Sequence, residues 1–194
     1  MKTLFIRFYN KYFRSVFDCS RLYKLDLQKA KVNSYESKSE RFEFMIADVG
    51  TMGLHETLYE NNTEKINIIR NRYTEGNYQC FAYFDKLNGR FAYTRWVCKN
   101  QFYSEAMKQQ ILLKPDELLT LDSYTSPQYR KQGLHKTMNY QMLDWLKQNT
   151  DYRYIYMIIM CFMPHLEKIV RKIGYKPVKT VFSKKINQPN NQHC

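Results

Sequence analysis

Apolar side chains recur over residues 4–17 at the spacing of one helical face: Leu4, Phe5, Phe8, Tyr9, Tyr12, Phe13, Val16 and Phe17, with Lys2, Arg7, Lys11 and Arg14 elsewhere. This predicts a basic amphipathic helix within residues 1–20. The period then drops to two, and residues 21–27 (RLYKLDL) and 41–47 (RFEFMIA) alternate as strands do. Between 50 and 73 the helical spacing returns. Leu54 and Leu58 fit one short helix, and Ile66, Ile69 and Tyr73 fit a second that the NNT at 61–63 can cap. Strands at 79–84 and 90–97 flank DKLNG, whose Asn88-Gly89 pair supplies the positive backbone dihedrals of a hairpin turn.

A polar connection follows. Residues 117–125 (ELLTLDSYT) then read as a strand that runs straight into a helix striped by Leu134, Met138, Met142, Trp145 and Leu146. Residues 154–162 form an almost unbroken apolar run, as a strand covered on both faces requires. Pro164 suits a first helical turn, Leu166, Ile169, Val170 and Ile173 share a face, and Gly174 is placed to stop the helix before a last strand at 176–182. With no internal repeat or Pro/Gly/Ser-rich linker to divide it, residues 21–186 read as a single α+β domain with a mixed α/β sheet, and residues 187–194 as a flexible tail.

Composition narrows the field. With 194 residues, 44% hydrophobic and 25% charged, the chain can bury an ordinary core, and six glycines and five prolines are too few for a fibrous or low-complexity chain. The net charge of +13 lies at the ends: residues 1–34 carry eight basic and two acidic side chains, residues 167–194 seven and one, and the middle sixteen and fifteen. A nucleic-acid groove would carry the excess on the folded body, so nucleic acid is not an expected partner. The basic first helix suits an anionic membrane surface, its own domain, or a second copy in a homodimer. Cys19, Cys80, Cys98, Cys161 and Cys194 form no CxxC pair and lack nearby histidines, which points to a reducing cytoplasm and no metal site. No segment reaches the roughly 18 apolar residues of a bilayer span, and charges interrupt the start MKTLFIRFYNKYFR where a signal peptide stays apolar. A cytoplasmic protein, at most peripheral at the inner membrane surface, is expected.

One junction carries chemistry. In TSPQYRKQGLHK (residues 125–136), Pro127 ends a strand and Gly133 lies where the helix begins. The first N–H groups of a helix have no helical acceptor and the dipole adds positive potential, so such a turn can cradle phosphate, reinforced here by Arg130, Lys131 and Lys136. A plain solvated helix start has the same composition. The segment resembles the GNAT superfamily of acyl-CoA-dependent N-acetyltransferases, whose pyrophosphate motif reads V-x-P-x-[YF]-R-x-x-G-x-[GA]. Pro127, Tyr129, Arg130 and Gly133 match, while His135 replaces the second small residue. IVRKIGYKP (169–177) is similar to the family's LYxKxGF segment, with Gly174 and Tyr175 in its Gly and Phe places, Val170 where Tyr is frequent and Met163 where Asn is.

The resemblance implies a GNAT-like central mixed sheet, mostly antiparallel and flanked by helices, with the strands at 117–125 and 154–162 splayed around a pantetheine arm. Backbone groups of Tyr124 and Thr125 would pair with that arm, while Gln132, Gly133, Leu134, His135 and Lys136, with Arg130 and Lys131, would hold the pyrophosphate. It implies transfer of an acetyl group from acetyl-CoA, or another acyl-CoA, to a primary amine of a small molecule, with a sugar amine among the candidates. Direct attack without a metal is the implied route. Two alternatives stay open: a longer acyl group from an acyl carrier protein, which the basic ends would attract, or a CoA-binding module without turnover, since Val170 removes the usual acid for the leaving thiolate.

The amine must lose a proton. Glu117, eight residues before Thr125, is the first candidate base or else a solvated strand-start carboxylate; Asp122 is the second, because a mid-strand carboxylate needs a partner or a cleft. His165, at the start of the late helix, is a third that also fits an exposed first turn. Tyr124 is a candidate donor, and Cys161 a candidate nucleophile or inert packing. His55, Glu56, Tyr59 and Glu60 on the paired helices are available to shape an acceptor site.

Overall fold

The computed structural model describes residues 17–31, 40–59 and 62–184. The amphipathic stretch 1–16, Glu60 and the 187–194 tail lie outside the described residues. Residues 17–20, assigned above to the first helix, belong instead to a strand, β1 (Phe17–Asp26). The strand β2 (Phe42–Ala47) precedes a short helix α1 (Met52–Glu56) and the longer α2 (Thr63–Thr74), whose start is capped by the Asn62 side chain accepting from the Lys65 amide. Then come β3 (Tyr78–Asp85), β4 (Arg90–Cys98), β5 (Gln101–Ser104), β6 (Gln109–Leu112) and β7 (Glu117–Thr125). The helix α3 (Leu134–Asn149), β8 (Tyr154–Met160), α4 (Pro164–Ile173) and β9 (Lys176–Lys184) complete the order.

Seven strands form one sheet in the order β2-β3-β4-β7-β8-β1-β9, antiparallel throughout except for the β7–β8 pair. This is the mostly antiparallel α+β sheet the resemblance implies. Alternation decides which residue faces which layer. Phe81, Tyr83, Tyr93 and Val97 turn to the face covered by α3 and α4, where Met138, Met142, Leu143 and Leu146 bury the helix stripe. Each such side chain contributes about 1.5–3 kcal/mol of burial. Cys80, Ala82 and Trp96 turn to the other face, under α1 and α2. Farther along that face the β5–β6 hairpin covers Leu119, Tyr156, Ile158 and Leu22, with Met107 buried at its tip. Ser20 on β1 and Ser183 on β9 both donate to the Ala106 carbonyl, at 3.1 and 3.3 Å, and pin that tip.

Three details differ from the sequence expectation. The connection after β4 is a hairpin, because its four-residue strands are stabilised by the sheet beneath them rather than by sustained alternation. The β3–β4 turn spans four residues with a positive φ at Gly89 but not at Asn88, since Asp85 gathers the turn by accepting from the Leu87 amide and its carbonyl from those of Asn88 and Gly89. Cys19 and Cys161 form a disulfide joining β1 to the end of β8, so they are not the free thiols expected, and the inert or nucleophilic thiol considered for Cys161 is absent. Cys80 and Cys98 are free and buried.

The disulfide closes a loop of 142 residues, which removes freedom from the unfolded chain. Cys161→Ser is expected to lose about 2–4 kcal/mol of stability, read as a lower Tm than wild type under non-reducing conditions. Equal melting of the two proteins, and of wild type with and without reductant, would show that the bond contributes nothing in solution.

Candidate active site

Parallel pairing between β7 and β8 runs from Glu117 opposite Tyr154 to Thr120 opposite Met157 and goes no farther. One cause lies on the other edge of β7. There Arg95 pairs with Ser123 and Val97 with Thr120, so Trp96 faces both Leu121 and Asp122, a bulge of one residue. Bulges bend and twist the strand that carries them, and β7 turns away from β8 at this point. Thr120 Oγ1 donates to the Tyr156 carbonyl at 3.1 Å at the apex. Beyond it, the edge of residues 121–125 that faces β8 has no ladder partner, and a cavity of about 400 Å³ opens through the sheet.

Its long wall is apolar, formed by Met157, Ile159, Met160, Met163, Leu166 and Val170. On the α3 face it ends at Arg95, His135 and Asn139, and on the opposite face at Asp122 with Ser104 and Glu105 of the β5–β6 hairpin. Arg95 was not singled out from the sequence, although a charged residue inside an apolar strand, in phase with Tyr93 and Val97, was a readable signal. The hairpin residues carried none.

The turn from β7 into α3 is built on a buried carboxylate. Asp85, with no exposed surface, receives two hydrogen bonds from Arg41 at 2.9 and 2.7 Å, one from Asn88 at 2.7 Å and one from the Tyr129 hydroxyl at 2.6 Å. Arg41 first, and then Tyr129 and Asn88 against the opposing effect of burial, hold its carboxyl well below the usual carboxylate range. Ser126 ties the same turn to β4, through its amide to the Ala92 carbonyl and its hydroxyl to the Phe91 carbonyl. The chain then passes through positive φ at Lys131 (63°) and Gly133 (79°) before α3 begins. Gly133 meets nothing within 4 Å at its missing Cβ, so the glycine answers to backbone conformation rather than crowding.

The structure brings most of the expected donor-binding residues to this junction. Tyr124 and Thr125 lie half-buried on the unpaired stretch of β7, and Arg130, Lys131, Gln132, Gly133 and Lys136 are exposed around the turn. Leu134 is buried in the core. His135 lines the cavity, takes part in a 2.9 Å hydrogen bond with the Tyr93 hydroxyl, and is pushed down to about 4 by burial and by the Arg95 charge. It is therefore neutral.

The base candidates separate. Asp122 lines the cavity, its side chain 47% exposed, paired with Lys65 at 2.7 Å and Arg72 at 2.9 Å. Partial burial raises its pKa, but Lys65 and Arg72 outweigh that and leave it lower than usual. Glu117 is 6% exposed at the paired end of β7 and does not line the cavity; its oxygens take hydrogen bonds from Lys24, Tyr156 and the Lys114 amide. His165 is exposed in the first turn of α4, also outside the lining. Val170 stands in the cavity wall where the resemblance would place a phenol.

Of the acceptor-site residues expected on the paired helices, His55 is corrected. His55 has no exposed surface, bonds Tyr73 at 3.0 Å and stacks on Trp96, and burial holds it near 3, so it is core. Glu56 is held by Arg70 at 2.7 Å, and Tyr59 packs on Tyr124. Acidic groups at the cavity's mouth come instead from Asp122 and Glu105. Among the described residues no group of three or more His, Cys, Asp or Glu side chains is arranged to hold a metal ion, and no helix is long and apolar enough to cross a membrane.

No family profile matches the sequence, and no curated protein matches it. Solved structures match its fold. A GCN5-related N-acetyltransferase from Sphaerobacter thermophilus has a TM-score of 0.62 at 9% identity, over 94% of this chain and 56% of that one. A GCN5-related glucosamine N-acetyltransferase region of a fungal multi-domain β-N-acetylglucosaminidase gives 0.63 at 16% identity, over 93% and 22%. A conserved protein of unknown function from Staphylococcus epidermidis gives 0.55 at 6% identity, over 94% and 66%. This chain spans less than two thirds of the length of each. At such identities the likeness is one of fold, and the fold is that of the GCN5-related N-acetyltransferases.

Because the Asp85 carboxyl titrates below its ordinary value of 3.8, the stability it contributes is complete above about pH 4 and lost as pH falls below it. Asp85→Asn is expected to lower stability by about 2 kcal/mol at pH 7, with the gap to wild type closing toward pH 2. Urea unfolding at the two pH values reads both quantities, and a gap independent of pH would contradict the assignment.

Proposed function

With the GNAT fold as premise, we propose that the chain is an acyl-CoA-dependent N-acyltransferase that moves an acetyl group from acetyl-CoA to a primary amine of a small molecule. One observation carries the reading: the unpaired edge of residues 121–125 runs directly into the positive-φ turn at Lys131 and Gly133. An extended pantetheine arm, with amides along it and a pyrophosphate at its end, has the chemistry to add to such an edge while the first amides of α3 take the phosphate. The apolar wall and the cavity of about 400 Å³ suit the arm.

The thioester end then lies near Asp122 and Glu105, whose oxygens can accept hydrogen bonds from an incoming amine. Asp122, ionised at neutral pH, takes one proton from the ammonium through water and passes it to solvent; the freed amine nitrogen attacks the thioester carbon, the C–N bond forms, the C–S bond breaks, and the new amide nitrogen gives up its second proton to solvent. With Val170 in the wall, water protonates the departing thiolate, a modest demand for a thiol with a pKa near 8.5. A sugar amine is the first acceptor to try, being the substrate named for the fungal region. The same Val170 favours, as a second reading, a CoA-binding module without turnover. Acyl-CoA is an intracellular donor and suits the cytoplasm, whereas the Cys19–Cys161 bond suits an oxidising setting. The basic ends would serve an acyl carrier protein as an alternative donor.

Acetyl-CoA is expected to raise the Tm of the full chain, and a panel of amines screened by mass spectrometry to yield an acetylated product. Gly133→Val forces a β-branched residue to φ 79° and is expected to weaken CoA binding at least tenfold while the protein stays folded. Asp122→Asn is expected to lower kcat about a hundredfold with little change in CoA affinity, whereas Glu117→Gln is expected to lower Tm with no selective loss of turnover. Binding without turnover on any amine would favour the second reading; no binding of CoA or its thioesters would overturn both.

A further inference from the structure

The charge on the α3 face of the cleft is out of balance. Arg95 is 3% exposed, yet its guanidinium meets only uncharged partners: Nη1 donates to Asn139 Oδ1, the Tyr93 hydroxyl is in hydrogen-bond contact with the side chain, and Nε has no partner. The other arginines drawn into the fold are matched, Arg41 by Asp85, Arg72 by Asp122 and Arg21 by Glu167. Arg95 makes no ion pair among the described residues. Nor does its surrounding compensate: Asn139 uses its own amide on the His135 carbonyl at 2.8 Å, His135 is neutral, and Tyr93 is uncharged. The start of α3 lies beside it, so the helix dipole adds to the positive potential. A buried guanidinium lacking a counter-charge destabilises a fold, and here it lines a cavity wide enough to admit one.

We propose that Arg95 is an anion-recognising residue of the cleft, completed by a phosphate or carboxylate group of the ligand that fills it, with Asn139 orienting the guanidinium. The inference rests on the acyl-CoA reading for its choice of probes. Two sources of the anion are chemically equivalent at this point, the phosphates of CoA and a carboxylate carried on the acyl chain. Either would draw the ligand's negative end beneath the first turn of α3 and leave the rest of it along the methionine-rich wall.

Titration calorimetry with the full chain separates them, using CoA, succinyl-pantetheine and acetyl-pantetheine on wild type, Arg95→Met and Arg95→Lys. Arg95→Met is expected to lose at least tenfold in affinity for CoA if the group is phosphate, or for succinyl-pantetheine if it is carboxylate, while binding acetyl-pantetheine within about twofold of wild type. Arg95→Lys should keep part of the affinity, and added salt should weaken wild-type binding more than that of Arg95→Met. Without ligand, Arg95→Met is expected to melt no lower than wild type, since it removes an unpaired charge. An unchanged affinity for both anionic probes, or equal losses on all three together with a lower Tm, would overturn the proposal, the latter marking a structural arginine. Should wild type bind none of the three, the acyl-CoA reading fails instead. Inorganic phosphate then decides this inference, raising the Tm of wild type but not of Arg95→Met if it holds, and of neither or both alike if it does not.

Discussion

Trp96 faces two residues of β7 rather than one, and the extra residue turns β7 away from β8 just beyond Thr120 and Met157. The cavity follows from that parting. A parallel pair that stayed zipped to its end would fill the middle of the sheet with backbone hydrogen bonds. The bulge leaves instead a cleft through the sheet, a strand edge able to accept an extended ligand, and a direct route from both to the N-terminus of α3.

The cleft has different chemistry at its two faces. Toward α3 stand Arg95 and the first amides of the helix, all positive, with His135 held neutral between them. Toward α2 and the hairpin stand Asp122 and Glu105, with Lys65, Arg72 and Lys108 as their partners. The α3 face thus carries an unpaired positive charge, the opposite face carries paired charges, and an apolar wall runs between them. The Asp85 cluster lies outside the cleft, but it anchors Tyr129 and thereby the turn on which the α3 end depends. A buried carboxylate with four donors is a rigid anchor for a segment that otherwise carries exposed polar side chains.

Much of this was legible in local patterns. Alternation marked β1 and β2, the Asn88-Gly89 turn marked the β3–β4 pair, the apolar run marked β8, and the stripe from Leu134 to Leu146 marked α3, because each pattern is imposed by the layer or turn that the element meets. Pro127, Tyr129, Arg130 and Gly133 pointed to the turn, and Asp122 to a carboxylate in need of partners. What escaped is set by contacts between segments far apart in the chain. The β5–β6 strands are too short to alternate convincingly, the place of β1 between β8 and β9 is a matter of topology, and Cys19 meets Cys161 across 142 residues. His55 read as an acceptor-site residue and is core, since nothing in a helix of five residues tells which side Trp96 will cover.

A ligand that lies along the parted edge of β7 and ends on the turn before α3 would shield the backbone amides it covers. Hydrogen–deuterium exchange of the full chain with and without saturating CoA reads those amides directly. Slowed exchange is expected at residues 121–125 and 131–136, with little change in α1 or the β3–β4 turn. Binding of CoA that leaves both segments unprotected, or protects a different part of the sheet, would contradict that placement.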